Sequence, residues 1–231
     1  MVGILRRRGS CNGSDKLLPQ DYVQVECVHS THNNAAFKLP FSINDARGEP
    51  GFKLIVREIE YQSSTNNCNY IGFWKQSVTE WEVYRYPINK GSSGGQSQLG
   101  YYQASDGRFV KQLLKLNINK TIFQECSCIN TRFTNCAGES TIIDKVRKLD
   151  VVDYIGIGCL WEIHNQAFSV SDTKNTCELG YVALYYGNTM IYELIPCIRK
   201  SDNKVGMYDL INKEFHSSET SVEFVAGDII E

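Results

Sequence analysis

Hydrophobic positions in this chain fall mostly two apart. The runs 22–28, 36–43, 52–61, 69–74, 81–86, 99–103, 109–118, 122–129, 151–161, 177–186 and 190–199 alternate apolar with polar residues or concentrate β-branched and aromatic side chains. Clusters of Gly, Asn, Asp and Ser separate them. Alternation at period 2 marks a strand with one buried face, and many short strands at close spacing predict an antiparallel β-sandwich. Helical spacing recurs in one place: Ile142, Ile143, Val146 and Leu149 follow Ser140, a candidate cap, so a short helix or turn is expected over 140–149.

The sharpest local signal comes late. Tyr181, Val182, Ala183, Leu184, Tyr185 and Tyr186 lead into Gly187 and Asn188, and a second β-rich run, 189–195, follows. Gly and Asn tolerate the positive φ that two-residue turns require, so a hairpin is predicted here. Pro196 has no N–H to donate and is expected to end this ladder and send the chain to an edge or corner. The stretch KGSSGGQSQ, residues 90–98, lies between two alternating runs and reads as a hairpin loop. It lacks the terminal Gly-Lys-Ser/Thr ahead of a helix that a phosphate-cradling loop needs.

Residues 1–16 stand apart from this pattern, and the body is expected to run as one domain over 17–231. The head carries Val2, Ile4 and Leu5 ahead of Arg6, Arg7 and Arg8, with Gly and Ser following. So short a segment cannot build a core. An apolar tip backed by three guanidiniums suits an anchor peptide that orders on a partner, burying the tip and gripping carboxylates; a solvated terminus is the alternative.

Composition narrows the classes. With 231 residues, 42% of them hydrophobic, and 13 Tyr against 3 Met, the chain has the length and the residue types for an all-β core. A formal net charge of −2 supplies no positive field, so neither nucleic-acid wrapping nor polybasic membrane binding is expected. No run approaches the roughly 18 apolar residues of a membrane span. After the basic start, residues 9–15 are polar and Gly-rich where a secretory signal would be apolar, so residence in a cytoplasm or in a particle assembled there is expected.

The candidate chemistry is sparse. Nine cysteines cannot all pair within the chain, and the cluster Cys126, Cys128, Cys136 lacks the second knuckle of a zinc ribbon, with His164 the nearest His downstream. Reduced, buried thiols and no metal or other cofactor are expected. His29, His32, His164 and His216 show no ligand spacing. The carboxylate pairs Glu58/Glu60 and Glu80/Glu82 each share a strand face, but exposed strand carboxylates are ordinarily solvated, and no catalytic residue is assigned. Asn69, Tyr70, Trp74 and Trp81 combine aromatic platforms with an amide and form the candidate glycan-binding set.

A family resemblance enters at the hairpin. Tyr185 to Thr189, the run Glu193-Leu-Ile-Pro-Cys-Ile-Arg-Lys-Ser-Asp202, then Val205-Gly-Met-Tyr-Asp209, Lys213-Glu-Phe215 and Phe224-Val-Ala-Gly227 together resemble the C-terminal signature of concanavalin-A-like, laminin-G-like jelly rolls. Those domains occur in structural proteins of tailed phages, particularly the crAss-like phages of gut bacteria. The start Leu18-Pro-Gln-Asp-Tyr-Val-Gln-Val-Glu26 is similar to the opening strand of the same domain, and the MVGILRRRG head to heads of phage virion proteins. The chain departs from the family at residues 27–34, where Cys-Val-His-Ser-Thr-His-Asn-Asn replaces a Ser-Thr-Gly run and a Tyr-Ile-Asp-Thr segment. The resemblance implies a jelly roll with virion residence, as a head fibre, capsid decoration or tail appendage, made in a bacterial host cytoplasm. Its partners would be capsid or tail proteins, further copies of itself and host or mucus glycans. A bacterial surface or prophage carbohydrate-binding module is the alternative. A glycan-cleaving enzyme is the less favoured one, because glucanases of this fold carry a third strand carboxylate that neither Glu pair supplies.

Overall fold

A computed structural model describes residues 18–30, 35–42, 46–58, 71–74, 88–90, 97–105, 108–115, 121–142, 152–158, 160–162, 167–169 and 177–230. Within them the chain forms strands and no helix. In order these are β1 (Tyr22–Gln24), β2 (Val28–His29), β3 (Phe37–Ser42), β4 (Pro50–Glu58), β5 (Ile71–Trp74), β6 (Ile88–Lys90) and β7 (Ser97–Ser105). Next come β8 (Arg108–Lys115), β9 (Gln124–Ile129), β10 (Arg132–Thr134), β11 (Ser140–Ile142), β12 (Val152–Ile157), β13 (Leu160–Glu162) and β14 (Ala167–Ser169). The last are β15 (Cys177–Tyr186), β16 (Thr189–Arg199), β17 (Lys204–Asp209), β18 (Glu214–Ser217) and β19 (Val225–Ala226).

The largest sheet runs β11-β10-β9-β4-β15-β16-β17-β18, all antiparallel. Residues 22–29 fill the gap where the β15–β16 hairpin opens away from its turn: β1 pairs with β16 and β2 with β15, while β19 adds to the far side of β2. The N-terminal and C-terminal strands of the body are therefore neighbours, joined also by Glu26 N donating to the Asp228 carbonyl at 2.7 Å. A second sheet runs β14-β13-β5-β12-β3, antiparallel except that β13 lies parallel to β5. A third, β6-β7-β8, is an antiparallel meander.

One core joins the two larger sheets. From the large sheet it takes Phe52, Leu54, Val56, Cys126, Cys128, Leu179, Val182, Leu184, Leu194 and Met207. Phe37, Leu39, Phe41, Ile71, Ile155 and Ile157 come from the second sheet. Phe41 stacks on Tyr186 with ring centroids 5.1 Å apart, and the Tyr192 hydroxyl donates to the Pro40 carbonyl at 3.2 Å. The alternation read from sequence thus maps onto one inward face per sheet, and the architecture is all-β and sandwich-like. The opposite face of the large sheet carries a smaller apolar cluster of Leu18, Ile195, Cys197 and Tyr208, flanked by Tyr22 and Phe215. Leu18 and Tyr22, which open the described chain, are thereby held against the C-terminal meander.

Four expectations need correction. Ser140–Ile142 does not open a helix but forms β11, paired with β10, and the remainder of 140–149 lies outside the described residues. Pro196 follows the end of the β15 ladder, whose last pair is Val182 with Leu194, but it does not send the chain to an edge or corner, because β16 continues to Arg199 between β1 and β17. Its carbonyl accepts from Val25 N at 3.1 Å, so its donorless nitrogen faces the side on which β16 exchanges β15 for β1. The run 22–28 divides into β1 and β2, since each half takes a different partner. The run 151–161 divides at Gly158, whose φ of +87° is open to glycine at little cost and whose absent Cβ would lie 2.6 Å from the Ala35 carbonyl.

Candidate functional site

The densest polar constellation among the described residues joins β4, β15 and the link between β1 and β2 on the outer face of the large sheet. β4 and β15 place Arg57 directly opposite Glu178, each one position beyond a core residue, Val56 and Leu179 respectively. Both therefore project away from the sandwich core. Arg57 Nε donates to Glu178 Oε2, and Arg57 Nη2 to Glu178 Oε1 at 3.1 Å and to Glu26 Oε2 at 3.3 Å. The guanidinium also lies over the Phe123 ring, 4.3 Å from its centroid. Two-point contact with a carboxylate and stacking on a ring both need a planar cation, which Lys is not. The hydrogen bond to Glu178 holds Arg57 above its already high ordinary range.

Two further groups border this cluster. Burial, and next the Glu178 charge, pushes the Cys27 thiol up to about 12, so it stays protonated and unreactive as a nucleophile. His29 sits across the ladder from Glu178. Burial lowers its pKa, against an upward pull from Glu178, and its Nδ1 is enclosed without a hydrogen-bond partner. The chemistry this permits is fastening. Both carboxylates are engaged by one cation, Glu178 is buried, and the cluster ties the N-terminal segment to β4 and β15. Sequence reading missed it, although a signal was present: Arg57 and Glu178 each interrupt an otherwise apolar strand stretch, and two such interruptions of opposite sign invite pairing across a ladder.

The predicted site residues fare unevenly. Val2, Ile4, Leu5, Arg6, Arg7 and Arg8 of the head lie outside the described residues, as do Asn69, Tyr70 and Trp81 of the glycan set. Trp74 ends β5, opposite Glu162 of β13. The same pairing sets Trp161 opposite Phe73, and β14 sets Phe168 opposite Trp161, so the backbone aligns three aromatic positions in a row. Trp161 and Phe168 were not among the sequence candidates, because a parallel pairing of β5 with β13 leaves no local trace. Of the acidic pairs, Glu58 closes β4 opposite Cys177, while Glu60, Glu80 and Glu82 lie outside the described residues. Cys27, Cys126, Cys128, Cys136 and Cys197 are unbridged, all buried but Cys136, which is partly so. No group of three metal-ligating side chains occurs among the described residues.

No protein-family model, curated protein or solved structure matches the chain.

Proposed function

We propose that the protein is a non-enzymatic virion component of a tailed phage. In this reading the two larger sheets form a concanavalin-A-like jelly roll that serves as a display module, and residues 1–16 attach it to a capsid or tail protein. The resemblance of residues 177–227 and 18–26 supports it, and one observation carries it furthest. The two segments holding the resemblance are far apart in sequence yet lie together, with β1 paired to β16 and Val25 N donating to the Pro196 carbonyl. The fastening of Glu26 by Arg57 fits a module whose leading strand must bear load from an attached head. Arg6, Arg7 and Arg8 would grip carboxylates of an acidic neighbour, and Val2, Ile4 and Leu5 would bury against it. Several modules on one particle would multiply a weak single attachment by avidity.

Adhesion to host or mucus glycans is a second layer of the same reading. It rests on the residue types of Asn69, Tyr70, Trp74 and Trp81, which combine aromatic platforms with an amide. The test of the main reading is deletion of residues 1–9. The truncated protein is expected to fold with an unchanged melting temperature and to be lost from particles, and replacement of Arg6, Arg7 and Arg8 by Ser is expected to weaken incorporation, more so at high salt. Truncated protein at full occupancy on particles would place attachment in the jelly roll and refute the anchor.

A further inference from the structure

We infer that Cys126 and Cys136 are a redox-closable pair, a disulfide site at the β9–β11 end of the large sheet that is open in a reducing compartment and is closed by a small-molecule disulfide oxidant. Cys126 belongs to the core, and Cys136, in the turn between β10 and β11, packs against that core from its margin. The Cys136 carbonyl accepts from Gln124 Nε2 at 3.3 Å. Gln124 and Cys126 are two apart on β9 and share a face, so this bond fixes the turn over the face on which the Cys126 thiol lies. Each thiol is the largest influence on the other's proton affinity. Asn135 locks the turn, its Oδ1 accepting from Ala137 N at 3.0 Å and Glu139 N at 2.9 Å, so Cys136 is held in place.

The asymmetry of the pair sets the order of events. The influence of Cys126 draws the Cys136 thiol below its ordinary range, and that of Cys136, together with burial, pushes Cys126 well above it. Cys136, the partly exposed member, is therefore the attacking thiolate. It displaces one glutathione thiolate from oxidised glutathione and forms a mixed disulfide. Cys126 then gives its proton to solvent and attacks the Cys136 sulfur, expelling the second glutathione thiolate. Two protein thiols become one disulfide, and one glutathione disulfide becomes two glutathione thiols. Cys27, Cys128 and Cys197 are each pushed up to about 12, by burial above all. This inference holds whether or not the protein resides in a virion.

The experiment uses the full chain, reduced, then incubated with oxidised glutathione, alkylated and digested without reduction. Mass mapping is expected to find Cys126 linked to Cys136, both lost to alkylation, and the melting temperature raised by about 5 °C in a manner reductant reverses. Cys136→Ser is expected to abolish the link and the shift, while Cys128→Ala keeps the link. Cys136 recovered as a glutathione adduct with Cys126 still alkylated, Cys126 linked to another cysteine, or both thiols still free would overturn the inference. Mapping of the unaltered chain decides this even if a variant fails to fold.

Discussion

The two ends of the large sheet solve the same problem in different ways. At the β15–β18 end, strands of 10, 11 and 6 residues meet at turns whose chemistry is local and favourable. Gly187 takes the left-handed conformation at φ +56°, and Arg199 pairs with Asp202 at 2.7 Å across the next turn. At the β9–β11 end, β10 and β11 have 3 residues each. The β9–β10 turn places Asn130 and Thr131 at φ +49° and +65°. A β-branched residue is costly there. The lesson is that strand length and turn propensity share the work of fixing register. Where both are short, side-chain hydrogen bonds such as those of Asn135 take over.

The largest expected effect lies at the robust end. Asp209 is fully buried, and its carboxylate accepts from Glu193 N at 3.1 Å, Ile211 N at 2.9 Å and Asn212 Nδ2 at 2.5 Å. Asp209→Ala strands these donors and should cost about 4 kcal/mol in denaturant unfolding. Asn135→Ala, removing the corresponding lock at the other end, should cost about 2 kcal/mol, because the stranded donors Ala137 N and Glu139 N belong to exposed residues and water can replace the lost bond from Asn135 Nδ2 to Glu139 Oε2. Equal costs would break the comparison, since they would mean that the long ladders add nothing around Asp209.

Much of this was legible in the sequence, and the limits are physical. The Gly187-Asn188 hairpin was plain because turn residues and alternation agree in one short stretch. The β9–β10 hairpin was invisible because Asn-Thr is a poor choice for that turn, and its strands were read as a strand followed by nothing. The Arg57–Glu178 clamp and the alignment of Phe73 with Trp161 depend on pairings between distant segments, which period-2 alternation does not specify. Pro196 marks the end of the β15 ladder but not an edge, because β1 takes over on the side its nitrogen faces, a tertiary fact.

Thr131→Gly sharpens the comparison from the other direction. Relief of the left-handed Thr should stabilise the protein by about 1 kcal/mol, with the denaturant slope unchanged. A loss of stability would show that the Thr131 side chain contributes more than its backbone costs. The smallest effect concerns acid. Burial depresses the pKa of both His29 and His216 below 6.5, so the unfolded chain binds protons more readily than the folded one. Their neutral forms contribute stability fully above about pH 6.5, and that contribution is lost as pH falls from there through the folded values. Replacing both by Gln should flatten the melting-temperature profile between pH 7 and pH 5, whereas an unchanged slope would assign it to other groups.

Under the proposed function this sandwich is a display module fixed to a particle by its head. The most direct measurement is the position of the chain's density in an intact virion determined by electron cryomicroscopy. The account predicts the β-sandwich on the particle exterior, with residues 1–16 ordered and buried against an acidic surface of a capsid or tail protein. Purified particles that lack the chain, or hold it with residues 1–16 free of any neighbour, would contradict it.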